Sequence, residues 1–288
     1  MKNKDDAKLL STAWDRPLAT TAISTDHAAV NGMQNALEKA AWLMGTHIDV
    51  AYPDANVQNY TLFHNPTDGE SKLSTLTDIG ECLWDKVAPI PGHTSWQARH
   101  LAELLLQRQW ERRQTDWVVH SQGAIIFKAA VRHHLSTQPH VKLDRHTVAF
   151  HAGGSVISST KTYLEQAGIK IGLERVNPFD LVPNVAGHNT HSPSGLIRAL
   201  SFTRLVFGGG GDNVTVSPHT LPYLGVCTYY LQLKEAGHHL AAGLVRNYMR
   251  GLSDKQLAYE RSLNDPNARS LNPIVKKPSL TRNDFPVV

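Results

Sequence analysis

Cysteine is almost missing from this chain: two residues in 288, Cys82 and Cys227, stand far apart among apolar neighbours. Such a pair makes no disulfide framework and no zinc site by itself, and reads as two buried free thiols. Long apolar runs are missing as well. No stretch approaches the roughly 18 uninterrupted apolar residues of a membrane-spanning helix. The charged start, Met1-Lys2-Asn3-Lys4-Asp5-Asp6, has no apolar segment behind it of the kind a secretory signal carries. The expectation is a soluble protein, cytoplasmic in its producer or exported by a dedicated secretion system. Charge of one sign is scarce: 29 Lys and Arg against 25 Asp and Glu give a net charge of +4, with no basic run. Nucleic acid is therefore not an expected partner. The slight positive excess is compatible with contact at an anionic lipid surface.

Metal and phosphate signatures are also lacking. Histidine is abundant, at 16 residues, but neither H-E-x-x-H nor H-x-H with carboxylates at ligand spacing occurs. The adjacent pairs His133-His134 and His238-His239 would point in different directions on helices. The histidines read as surface or capping residues, with no metal expected. Gly208-Gly209-Gly210-Gly211 lacks the Lys-Ser/Thr that completes a P-loop and reads as a mobile loop, so no cofactor is expected.

What is present is an alternation of strands and helices. Ala28 to Met44 carries apolar residues close to helical spacing, with Gly45 as a stop; Asn59 to His64 reads as a strand closed by the turn Asn65-Pro66-Thr67-Asp68-Gly69. Leu73 to Val87 is expected to be helical up to the break at Pro89-Ile90-Pro91-Gly92. Thr94 and Gln97 match a capping box opening a helix to about Arg113. Strands follow at 116–119, 146–151 and 172–177. Helices are expected from 124 to about 135, from 160 to 167, and from Leu221 to about Arg250 with a break near Gly237. This order predicts an α/β fold, a mostly parallel sheet with helices on both faces. The expected organisation is an N-terminal helical segment over 1–50, an α/β domain over 51–252 and a polar C-terminal tail over 253–288.

Val119-His120-Ser121-Gln122-Gly123 is the stretch that points to chemistry. An apolar strand runs into it and an apolar helix leaves it. Strand, tight turn with serine at the tip, then helix is the setting of a nucleophile elbow, G-x-S-x-G, with Val119 in place of the first glycine. A serine hydroxyl needs a base within hydrogen-bond reach, and the base needs an acceptor that fixes its tautomer. Asp180, in Asn177-Pro178-Phe179-Asp180-Leu181-Val182-Pro183, is the best acid, ahead of Asp212, Asp144 and Glu174. His219, in Ser217-Pro218-His219, is the best base, ahead of His188, His191, His238 and His239. An oxyanion would be held by the backbone N–H of Gln122, with a second N–H from the loop near His64 or Asn65. The apolar residues Leu196, Ile197, Leu200, Phe202, Leu205, Val206 and Phe207 offer an acyl groove and cover, though plain core packing explains them more simply.

With those residues in place, the chain resembles a serine lipase or esterase of the α/β-hydrolase superfamily. More narrowly, it is similar to lipase-like domains of bacterial polymorphic toxins, including the C-terminal regions of filamentous-haemagglutinin-type exoproteins and secreted phospholipase effectors. The matching pieces are Tyr60 to Thr67, Val119 to Ala124, Asn177 to Val182 and Ser217-Pro218-His219. The resemblance implies cleavage of carboxylic esters through an acyl-serine intermediate. It also implies a lipid substrate, transient contact with a membrane surface, delivery into a competing cell and a cognate immunity protein. Two other readings stand beside it. One is a non-catalytic binding domain with a degraded hydrolase fold. The other is an intracellular esterase, thioesterase or acyltransferase acting on a soluble acyl donor.

Overall fold

The computed structural model describes residues 20–32, 37–65, 95–186, 193–207 and 217–263. Five strands form one sheet: β1 His27–Val30, β2 Thr61–Phe63, β3 Thr115–His120, β4 His146–His151 and β5 Lys170–Arg175. Their spatial order is β2-β1-β3-β4-β5, and every pairing is parallel. The helices are α1 Leu37–Ala51, α2 Trp96–Trp110, α3 Gln122–Thr137, α4 Ile157–Ala167, α5 Pro193–Phe207, α6 Val226–Glu235, α7 His239–Arg250 and α8 Asp254–Ser262.

The sheet is covered on both faces, and the strands show it residue by residue. Ala28, Val30, Trp117, Val119, Val148 and Phe150 pack with Leu101 and Leu105 of α2, Phe127 and Val131 of α3 and Leu164 of α4. The alternate residues Ala29, Val118 and Ala149 pack with Met44 and Ile48 of α1. Side chains alternate faces along a strand, so a parallel sheet buried on both sides reads as a continuous apolar run. Without the strict alternation of a half-buried strand, Ala28-Ala29-Val30 also fits a helical stripe in the sequence. It is β1, and the helix that follows spans 37–51 and carries Gly45 inside it. Since β1 lies between β2 and β3, residues 27–30 belong to the sheet of the α/β fold rather than to a helix ahead of it.

Two other expectations change. The cap of α2 is Ser95, whose hydroxyl accepts from the Ala98 N–H at 3.2 Å. The expected polar tail begins with α8, opened by a capping box between Ser253 and Gln256. Buried Glu260 of α8 accepts from the Tyr223 hydroxyl at 2.6 Å and from the Val226 N–H at 2.9 Å. The helix over 73–87, the Pro66–Gly69 end of the turn, Cys82, Thr94, the glycine run at 208–211 and residues 264–288 lie outside the described residues.

The lower rim of the sheet is tied by Arg108, a fully buried cation on α2. Its guanidinium donates to the carbonyls of Ile23 (3.3 Å), Thr25 (3.1 Å) and Gln114 (3.3 Å) and to the Thr115 hydroxyl (2.9 Å). Asp26 and Glu111 approach it from the solvent side, each at 3.3 Å. Arg108→Met keeps most of the stem and removes the donors, leaving carbonyls without partners. The expected loss is about 3 kcal/mol, read as a lowered midpoint in denaturant unfolding. Asp26→Asn, at the exposed end, is expected to cost less than about 1 kcal/mol.

Candidate active site

The chain runs outward from β1 to β2 in one direction and from β3 through β4 to β5 in the other. Strand order therefore reverses between β1 and β3. In open parallel sheets the crevice beyond the carboxyl ends of the strands at such a point is where ligands bind. Ser121 stands there, one residue past β3. It has φ 55° and ψ −124°, a conformation that costs a non-glycine residue about 1–3 kcal/mol. Its neighbours hold it in place. Its N–H donates to the His151 carbonyl at 3.3 Å, and its carbonyl accepts from Ala124 and Gly154 N–H groups at 3.1 and 3.0 Å. Gly123 permits the approach of α3 to β1, since a Cβ there would lie 2.3 Å from the Val30 carbonyl oxygen. Val119, the departure from the glycine pattern, causes no crowding. It points down into the core beside Val30 and Phe150, with no exposed surface.

Asp180 and His219 meet Ser121. The Ser121 hydroxyl is 2.9 Å from His219 Nε2, and His219 Nδ1 is 2.8 Å from Asp180 Oδ2. The carboxylate acceptor assigns the ring proton to Nδ1 and leaves Nε2 free to accept the serine proton. Asp180 is buried, and its other oxygen accepts from the Val182 N–H at 3.0 Å. Burial pushes the Asp180 carboxyl above the usual range, while His219 and the Val182 N–H pull against that. The loop carrying His219 is shaped by Ser217, whose hydroxyl accepts from the Thr220 N–H (3.2 Å) and hydroxyl (2.8 Å). Downstream, Arg175 at the end of β5 donates to the carbonyls of Tyr223 (2.8 Å) and Leu263 (2.7 Å), so α8 is bound to the same loop.

The rivals among the described residues are not beside Ser121. Asp144 bonds Gln109 at the surface, Glu174 pairs with Lys161, and His238 and His239 sit at the start of α7. Asp212, His188 and His191 lie outside the described residues. Gln122 opens α3, where first-turn N–H groups have no intrahelical acceptor. Asn65 needs correction as an oxyanion donor, because its N–H is already spent on Asn31 Oδ1 at 2.8 Å. Its side chain donates instead to Gln122 Oε1 at 2.6 Å. The backbone beside Ser121 follows β1 rather than β2: a Cβ on Gly32 would fall 2.6 Å from the Ser121 Cβ. Asn31 holds that loop by donating to the Gly32 carbonyl at 2.7 Å. The sequence hides this segment because Ala28-Ala29-Val30 fits a helical stripe as well as a buried strand. The residues from Leu196 to Phe202 lie on α5, where Phe202 is packed against Phe179 and Tyr229 while Ile197 is exposed.

The histidines depart most from expectation. His47, His120, His134, His146 and His151 are buried rather than superficial. His146 accepts from the Trp117 indole at 3.0 Å and donates to the Leu105 carbonyl at 2.9 Å, which fixes it as a neutral ring. Desolvation pushes His146 down to about 4 and His120 to about 3, and holds His47 and His151 well below the ordinary imidazole value. Among the described residues no three His, Cys, Asp or Glu side chains are arranged to hold a metal ion. No described helix is long and apolar enough to cross a membrane.

These neutral rings give the fold a pH dependence whose sign follows from linkage. The unfolded chain takes up protons near the ordinary histidine value of about 6.5, while the folded chain does not until its lower values are reached. Stability is therefore present above about pH 6.5 and is lost as pH falls below it. The loss from each ring is about 1.4 kcal/mol per pH unit and ends only at the folded value. Thermal unfolding followed by circular dichroism should show the midpoint dropping steeply between pH 6.5 and 5, and His146→Gln should flatten the slope.

No protein-family model, no curated protein and no solved structure matches the chain.

Proposed function

We propose that the chain is a serine hydrolase that cleaves carboxylic acyl esters through an acyl-serine intermediate. The single observation that carries the reading is the continuous relay from the Ser121 hydroxyl through His219 to buried Asp180. The strained serine at a strand-to-helix turn supports it, because backbone strain persists where the surrounding structure over-determines it. A degraded, purely binding version of the fold would have no reason to keep an imidazole within bonding distance of that hydroxyl.

In the proposed reaction Ser121 Oγ attacks the ester carbonyl carbon as its proton passes to His219 Nε2. The carbonyl oxygen becomes an oxyanion, held by the Gln122 N–H and the positive end of α3, with the Gly32 segment forming the opposite wall. Collapse breaks the carbon–oxygen bond of the leaving alcohol, which takes the proton from Nε2. Water then attacks the acyl-serine, giving its proton to Nε2, and release of the acid returns that proton to Oγ. Asp180 accepts the Nδ1–H throughout and stabilises the imidazolium that forms in each half. A lipid ester is the leading substrate class and a bacterial antagonistic toxin the leading role, with an immunity protein as partner. Both rest on the sequence resemblance.

A fluorophosphonate probe, which reacts with activated serines, should label the purified chain and fail to label Ser121→Ala. Asp180→Asn leaves the shape of the site but removes the acceptor for Nδ1–H. It should lower acyl-ester turnover by about 10⁴-fold. A panel of p-nitrophenyl esters and phospholipid vesicles would then rank soluble against lipid substrates. Absence of labelling in folded protein, with detergent and lipid present, would sink the hydrolase reading.

A further inference from the structure

Behind the Ser121–His219 pair lie three buried imidazoles that the reaction does not use. His120 ends β3 and His151 ends β4, and the two are lateral neighbours in the sheet. Both share the sheet face of Val118 and Ala149, which is covered by α1, and α1 supplies His47. His47 lies 4.6 Å from His120 and 5.0 Å from His151 between ring centroids, and His120 lies 4.8 Å from His219.

Their hydrogen bonds admit a definite arrangement of protons. A carbonyl only accepts, so the ring nitrogens facing carbonyls must carry hydrogen. His120 Nε2 therefore donates to the His219 carbonyl at 2.8 Å, and His47 Nε2 donates to the Thr220 carbonyl at 3.2 Å. A neutral His47 then has a bare Nδ1. The nitrogen 2.7 Å away is Nδ1 of His151, which must be the donor. His120 Nδ1 and His151 Nε2 are left bare, with no bonding partner among the described residues. Two adjacent carbonyls of the loop carrying His219 are thus each held by a different element, β3 and α1.

We propose that His47 and His120 are positioning residues for His219, clamping the carbonyls of His219 and Thr220 through Nε2–H while His151 fixes the tautomer of His47. This rests on the reading of Ser121, His219 and Asp180 as a catalytic relay. The choice of imidazole has a physical reason. His219 becomes a cation in each half of the reaction, and a permanently charged lysine or arginine at 4.8 Å would oppose that step. A neutral ring gives a directional donor without the charge. Burial keeps these rings neutral, and the Arg175 guanidinium reinforces this at His151.

The test separates the clamp from the hydrolase reading. Nitrogen-15 spectra of the imidazoles, recorded at pH 7 on wild type and on Ser121→Ala, need no turnover. The clamp requires His47 and His120 to be protonated at Nε2, His151 at Nδ1, and all three to be neutral. Charged rings, or Nδ1–H tautomers at His47 or His120, would overturn it. The low-field Nδ1–H signal of His219 against Asp180 should be sharp in wild type and lost or broadened in His120→Leu and His47→Leu. In steady-state assays on an ester found in the substrate panel, those variants should lose kcat by about 10- to 100-fold with KM nearly constant. His120→Gln and His47→Gln, which restore an amide donor, should recover most of that loss. An unchanged kcat in folded leucine variants would overturn the proposal. Where the leucine variants fail to fold, the wild-type tautomers and the glutamine variants decide, and glutamine variants that fold but show no recovered turnover count against it. A wild-type chain that never labels with fluorophosphonate refutes the hydrolase reading while the spectra still decide the hydrogen-bond clamp.

Discussion

The close approach of α3 to the end of β1 is the constraint on which the site depends. At Gly123 the helix backbone passes the Val30 carbonyl with no room for a side chain. That proximity lets the chain turn sharply at the end of β3, and it places Ser121 in a backbone geometry that a relaxed turn would not adopt. It also brings the Asn31-Gly32 segment against the serine and lets the Asn31, Asn65 and Gln122 side chains connect across the gap. A hydroxyl at the crest of a parallel sheet, beside the reversal point of strand order, is the result of one steric allowance and its neighbours.

Around that point the interior is unusually polar. Arg108 organises the lower rim, His146 and Trp117 bond across the middle of one face, and three imidazoles fill the upper part of the other. Polar groups at such depth are costly unless satisfied. Here most of the donors are spent on backbone carbonyls, so the same groups define where loops sit. The stability of the domain and the geometry of its crevice are consequently set by the same buried side chains.

Much of the site was legible in the sequence because each part is local. Ser121 sits between two apolar runs of different period, Asp180 lies among prolines just past a strand, and His219 lies just before a helix. The sheet was legible too, since strands and helices alternate. What failed was whatever depended on long-range pairing. Ala28-Ala29-Val30 fits a helical stripe as well as a buried strand, and only its place between β2 and β3 distinguishes them. With β1 reading as helix, the first core strand in the sequence is β2 and the expected loop falls at Asn65, whereas the segment packed against Ser121 is Gly32, after β1. The buried histidines were lost for a related reason. Val118 and His120, or Ala149 and His151, share a face only once the strands are known to be covered on both sides, and His47 is a whole crossover away.

The parts of the relay are widely separated along the chain. Ser121 and His219 are 98 residues apart, and His47 meets Thr220 across 173 residues. Helix α8, which binds the downstream end of the His219 loop through Glu260, comes later still. During synthesis from the N-terminus, all five strands and the serine turn are made before His219 is, and closing such long loops is entropically the late step. The nascent chain therefore carries Ser121 without its imidazole partner until 98 further residues have been made. The hydrogen bond between them forms only when the loop carrying His219 docks on His47 of α1 and His120 of β3.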